Sequence, residues 1–204
     1  MVKKGSGWKG ESRRHSLARK GIKTTSGIID TPMYHGTKKG KFQYFMPHYS
    51  KDEQLGFGIH FTPDKEFAEL YAHDPNVGGK GNNPHVYKVL LDIKNPLKAN
   101  AIYDEGTKEF ELAVKLFGKK LPESHHLFGR NPDKNNIRQV WLQGLIDQTS
   151  PQRAERIIRE SGYDGVIYTS RLITYNNCAV GYCKVLKEVE SYIVFDNDQI
   201  KIME

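Results

Sequence analysis

From His85 to Ile93, Tyr87, Val89, Leu91 and Ile93 alternate against Lys88 and Asp92, the period-two pattern of a half-buried strand. Three more short apolar runs read the same way: Ile28 to Tyr34, Leu55 to Thr62 and Ser191 to Phe195. Gly165 to Tyr168 reads as a fully buried strand. The period lengthens between these runs. Phe67, Ala68, Leu70 and Tyr71 form one apolar face after Thr62-Pro63, which predicts a helix with Thr62 as its N-cap and Pro63 in its first position. Phe110, Ala113 and Phe117 predict a helix over 107–117, stopped by Gly118. Ile137, Val140, Trp141 and Leu145 predict another over 137–146. Ser150-Pro151 opens a last helix that stops at Gly162, and Glu11 to Lys20 reads as a short one. Phe42, Tyr44, Phe45 and Met46 form an aromatic cluster expected to anchor a loop to the core. Asp74 to Pro84 and Leu121 to Lys134 read as loops, and 169–189 as a loop with one strand near Lys184 to Leu186. Strands at both ends with helices between them predict an α+β domain of two packed, mostly antiparallel sheets with peripheral helices. No Gly-x-Gly-x-x-Gly lies between a strand and a helix, which argues against a doubly wound dinucleotide fold.

Composition adds a boundary. The 204 residues carry a net charge of +7. Residues 1–25 hold eight lysines and arginines against Glu11 alone, so that segment accounts for all of it and 26–204 is neutral. The expected organisation is therefore a basic N-terminal extension, 1–25, and a domain, 26–204. A basic arm attracts phosphate and could hold DNA or RNA, with Trp8 and His15 available to stack on bases; it could equally be solvated charge. No apolar run approaches the ~20 residues of a membrane span, and none follows the basic start as a signal would require, so a cytoplasmic protein without membrane contact is expected. Cys178 and Cys183 match no zinc spacing and read as reduced thiols, with one local disulfide as the alternative. His125-His126 lacks a third ligand at motif spacing, so no metal site is expected.

Candidate chemistry lies where strands meet polar residues: Tyr34-His35-Gly36-Thr37, Gly58-Ile59-His60-Phe61-Thr62 and Tyr192-Ile193-Val194-Phe195-Asp196 with Gln199-Ile200 after it. In this order the three segments resemble the diphtheria-toxin-like and poly(ADP-ribose) polymerase branch of the ADP-ribosyltransferase superfamily. Leu91-Asp92-Ile93-Lys94-Asn95-Pro96-Leu97 and Gly162-Tyr163-Asp164-Gly165-Val166-Ile167 are similar to the bacterial and phage domains of polyvalent mobile-element proteins. The resemblance implies nicotinamide adenine dinucleotide (NAD) as co-substrate and mono-ADP-ribosylation of a macromolecule with release of nicotinamide. It implies that His35 donates to the adenosine ribose, that the Gly36 backbone holds the nicotinamide amide and that Tyr71 stacks on the ring. Thr37, Phe61 and Thr62 complete the cofactor side. His60 stands where the branch has a tyrosine, and Ala68 where it has a serine. Glycine lets a flat ring approach the backbone, and a neutral imidazole donates from one nitrogen.

Departure of nicotinamide leaves a positive sugar that a nearby anion stabilises. The resemblance places that carboxylate at Ser191, with Glu190 one step earlier, so Glu190, Ser191 and His60 are the candidates beside the scissile bond. Strand alternation turns Glu190 and Ser191 to opposite faces unless a bulge intervenes. Three readings stay open: a transferase using Glu190 after a register shift, a mono-transferase whose substrate supplies the base, and a silent fold that binds NAD or a relative. The competing functions are a nucleic-acid-binding protein acting through the basic arm and an NAD glycohydrolase toxin.

Overall fold

The computed structural model describes residues 28–51, 54–73, 81–118, 128–130, 138–174 and 184–203. The basic extension, the helix expected over 11–20, His125-His126 and both cysteines lie outside these residues.

Two sheets form the body. One is three-stranded, in the order β1 (Ile28–Thr37), β4 (His85–Asp92), β11 (Ile200–Ile202). The other is five-stranded, in the order β2 (His48–Tyr49), β3 (Phe57–Phe61), β10 (Lys184–Val194), β9 (Gly165–Thr174), β5 (Pro96–Lys98). All their pairings are antiparallel except β5 with β9. The α+β architecture of packed, mostly antiparallel sheets is therefore as the alternating pattern predicts. A third, small sheet joins β6 (Ile102–Asp104), β8 (Arg138–Trp141) and β7 (Phe128–Arg130).

The five-stranded sheet is covered on both faces, which explains its apolar runs. Ile59, Phe61, Tyr192 and Val194 pack across to Met33, Tyr87, Val89 and Leu91 of the other sheet. Phe57, Val166, Tyr168, Ile193 and Phe195 pack on the opposite side with α2 (Lys108–Phe117), α3 (Leu142–Asp147) and α4 (Pro151–Glu160). Phe57 and Ile59 would share a face in a regular strand. Gly58, at φ +76°, breaks the alternation, and a Cβ there would lie 2.4 Å from Ile193 Cγ2.

Several local expectations hold. The Thr107 hydroxyl caps α2 by accepting from Phe110 N, and Gly118 ends it in the left-handed region. Pro151 opens α4. Others are corrected. The cap of α1 (Lys65–His73) is Asp64, which accepts from Phe67 N at 3.0 Å, while the Thr62 hydroxyl accepts from Asp64 N. The helix expected over 137–146 is strand β8 followed by the short α3. Val140 and Leu145 nonetheless enter the same core cluster, so the helical spacing was imitated by a strand turning into a helix. Residues 169–174 and 184–189 belong to long strands that pair across their length, with Arg171 opposite Glu188 in a 2.7 Å ion pair. Phe45 is buried and Phe42 partly so, whereas Tyr44 and Met46 are 71% and 84% exposed; only part of that cluster anchors its loop.

Candidate functional site

The first and second motifs meet where the two sheets touch. Tyr34 of β1 and Thr62, just past β3, exchange two backbone hydrogen bonds, Tyr34 N to Thr62 O at 2.7 Å and Thr62 N to Tyr34 O at 3.0 Å. A continuing antiparallel ladder would next pair Gly36 with His60. It does not continue. The His60 carbonyl accepts instead from His35 Nδ1 at 2.8 Å. β1 and β3 thus separate after one bridge, with the His35 imidazole in place of the next rung. By strand alternation Gly36 directs its N–H and C=O to the same side as Tyr34, into this gap.

The side of Gly36 that a Cβ would occupy is closed by α1. Such a Cβ would lie 1.9 Å from Ala68 O and 3.1 Å from Ala72 N. Glycine is therefore required here for helix packing, a reason the sequence reading did not supply. The start of α1 is also tied to β10, through Lys187 Nζ to Asp64 at 2.6 Å and Glu66 at 3.2 Å.

His35 sits among Phe45, Phe61, Phe42 and Tyr87, with ring centroids 5.2 to 6.4 Å away. The Tyr87 hydroxyl bonds both Phe42 N and Phe42 O, and Phe45 N donates to Asn197 Oδ1, so the 42–45 loop is fixed over the histidine. Burial pushes the His35 imidazole below its ordinary range. A neutral ring that spends its hydrogen on His60 O carries it on Nδ1 and keeps Nε2 as an acceptor.

His60 faces the other way. Its Nε2 lies 3.0 Å from Phe57 O, so it carries the hydrogen, and its Nδ1 accepts from the Tyr168 hydroxyl at 2.7 Å. The two rings meet edge to face at 5.6 Å. The buried side chains of Ser170 and Ser191 lie near the Tyr168 phenol. Burial holds the Tyr168 phenol protonated, and the nearby Tyr71 adds to the effect. Tyr71 is 37% exposed and packs on Phe67 at 5.6 Å, at the border of this cluster with solvent.

Ser191 stands directly opposite Tyr168 in β9, and Glu190 opposite Thr169. The register is unbroken from Lys187 to Val194; the irregularity in β10 falls earlier, between Val185 and Lys187. Glu190 therefore lies on the face opposite Ser191, where its Oε1 accepts from the Tyr192 hydroxyl at 3.0 Å. Thr37 accepts from Lys39 N, Thr62 lies at the bridge, and Phe61 is buried between the sheets. The structure thus assembles two adjoining groups: His35, Gly36 and Thr62 at the gap, and His60, Tyr168, Ser170 and Ser191 behind it. Tyr168 and Ser170 were missed from sequence because nothing local ties them to His60.

Burial pushes His60 down to about 4, against about 6.5 when unfolded. The unfolded chain therefore binds the extra proton between those values, and the contribution of neutral His60 is present above pH 6.5 and lost as pH falls toward 4. Lowering the pH from 7.5 to 5 is expected to cost about 2 kcal/mol from this group. Urea unfolding at the two pH values checks it; His60→Gln should flatten that part of the dependence.

Among the described residues no group of three His, Cys, Asp or Glu side chains could hold a metal ion, and no helix is long and apolar enough to cross a membrane. Neither curated proteins nor solved structures yield a match to the chain. Residues 30–204, which contain all three motifs and both halves of the site, match the family described as ADP-ribosyltransferase in polyvalent proteins, and the chain belongs to that family.

Proposed function

We propose that the domain uses NAD to mono-ADP-ribosylate a macromolecule. The observation that carries this reading is the gap between β1 and β3. There Gly36 offers one N–H and one C=O side by side, the complement of a carboxamide, which has one acceptor and one donor edge. Nicotinamide ends in such a group. His35 Nε2 would then accept from a ribose hydroxyl, rather than His35 donating to one, because its hydrogen is already committed to His60 O. Tyr71 stands where a ring could stack, with Thr37, Phe61 and Thr62 bordering the gap.

In the reaction the bond between nicotinamide and the ribose C1′ breaks, and nicotinamide leaves with the electron pair. An acceptor nucleophile bonds to C1′ and releases its proton to solvent. Glu190 faces away from Ser191, which favours a transferase without a carboxylate at that position over one using Glu190 through a register shift. Ser191 offers hydrogen bonding but no charge. The acceptor then carries more of the work: it must be held in line with C1′ and be a good nucleophile itself.

The +7 of residues 1–25 supports a polyanionic acceptor or scaffold, DNA or RNA. The family match, which begins at residue 30, is in line with an extension separate from the domain. With NAD and nucleic acid or lysate protein, the purified chain should release nicotinamide and leave ADP-ribose on the acceptor. Free ADP-ribose alone would make it a glycohydrolase, and no nicotinamide at all would reject the reading. His35→Ala should weaken NAD binding about tenfold, losing a hydrogen bond and ring contacts; unchanged affinity by calorimetric titration would remove His35 from the site.

A further inference from the structure

The loop that joins β1 to β2 has two faces. Its inner face puts the Phe42 and Phe45 rings against His35, at 6.4 and 5.2 Å. Its outer face carries Tyr44 and Met46, the most exposed large apolar side chains among the described residues. The loop is nevertheless held at every stage. Asn83 N donates to Lys38 O at 3.1 Å, the Tyr87 hydroxyl bonds both main-chain groups of Phe42, and Phe45 N donates to Asn197 Oδ1 at 2.8 Å. His48 and Tyr49 then pair with β3. Tyr44 and Met46 thus stand outward on a fixed frame, where covering them costs little backbone ordering.

Charge selects the occupant. From Thr31 to Lys51 the chain has Lys38, Lys39, Lys41 and Lys51 and no acidic residue, within a domain that is neutral as a whole. Lys39 and Lys41 are exposed and enter no ion pair among the described residues. Asp198 follows Asn197 at the other foot of the loop, so phosphates belong at the lysine end. A protein partner would need more surface: one aromatic side chain buries about 150–250 Å², against about 800 Å² on each side of a stable interface. A nucleic-acid base needs one open ring face, and its phosphates need cations nearby. We propose that residues 39–46 form a docking surface for single-stranded nucleic acid, with a base stacked on Tyr44 beside Met46 and phosphates at Lys39 and Lys41. A duplex keeps its base faces covered and gains nothing from Tyr44. This surface is distinct from residues 1–25. It is the outside of the wall whose inside covers His35, so a strand held there lies beside the gap. Calling that strand the acceptor rests on the transferase reading above; its binding rests on the loop alone.

Fluorescence anisotropy of the full chain with labelled oligothymidylate and oligouridylate tests this, with a duplex of equal length as the control. Tyr44→Ala should weaken single-strand binding about tenfold, and Tyr44→Phe, which keeps the ring, should preserve it. Neither change should alter duplex binding. Replacing both lysines, Lys39→Gln with Lys41→Gln, should lower the slope of log affinity against log salt by about 1.4, the value for two phosphates of a single strand. The tighter of the two oligomers identifies the strand as DNA or RNA. A Tyr44→Ala protein that binds single strands like wild type, or that loses single strand and duplex alike, overturns the inference. So does a concentration-dependent dimer in sedimentation that Tyr44→Ala abolishes, which would give the patch to a second copy of the chain. Nicotinamide release from NAD, measured in parallel, separates the two readings. Release without any Tyr44 effect on strand binding rejects this surface alone. Tyr44-dependent strand binding without release rejects the transferase alone.

Discussion

Gly36→Ala is expected to displace α1 and abolish productive NAD binding. The added Cβ would lie 1.9 Å from Ala68 O and 2.9 Å from Ala68 C, distances no rotamer adjustment can relieve because both atoms belong to the main chain. Gly36 is not at positive φ, so alanine meets no conformational penalty of its own and the whole effect is steric. Overpacking of this kind costs about 1–3 kcal/mol, here concentrated on one helix. Trimming the neighbour with Ala68→Gly should not rescue it, since the offending oxygen remains. Hydrogen exchange offers the direct measurement: amides of α1 should lose protection while those of β9 and β10 keep it. If α1 amides stay protected and NAD still binds, the close packing of Gly36 is not what holds the helix.

Gln199→Ala should be among the most destabilising single changes at a residue that is not itself fully buried. The Gln199 Oε1 accepts from Phe195 N at 3.0 Å and Asp196 N at 3.1 Å, and Nε2 donates to Asp92 O at 3.2 Å and Asp164 O at 2.7 Å. One amide therefore satisfies four backbone groups at the ends of β10 and β4 and at the entry to β9. Removing it orphans all four, and with partial access to water the expected loss is about 2–4 kcal/mol. Gln199→Glu provides the contrast. It retains the acceptor but replaces the donors with a second oxygen facing two carbonyls, so it should recover little of the loss. Equilibrium urea unfolding of the three proteins checks both statements; a Gln199→Ala midpoint equal to wild type would contradict the four-bond account.

Much of this architecture was legible because local signals coincided with tertiary ones. Thr107 and Gly118 bracket α2 whatever it packs against, and the alternation of β4 needs only one wet and one dry face. Asp64 displaced Thr62 as the cap of α1 because the chain between them turns, with the Thr62 hydroxyl binding Asp64 N. Residues 169–174 and 184–189 were obscured because Arg171 and Glu188 form a cross-strand ion pair and Lys187 pairs with the Asp64 cap of α1, and such pairs leave no apolar trace in a single strand. At the site, the motifs named His35, Gly36, His60 and Ser191, and the pairing of β1, β3 and β10 brings the segments that carry them together. They could not show that both His60 nitrogens are already engaged. That depends on Tyr168, more than a hundred residues away, being opposite Ser191 in the same sheet.

The Tyr34–Thr62 bridge joins a strand of one sheet to the end of a strand in the other. It is thus a seam, and the gap at Gly36 is where the seam stops. Its width is set by how far apart the sheets are held, and Met33 and Phe61, both fully buried between them, act as the spacers. An apolar side chain then becomes a gauge of ligand size: trimming Phe61 would let the seam run on toward His60 and narrow the opening, without removing a single polar group that lines it.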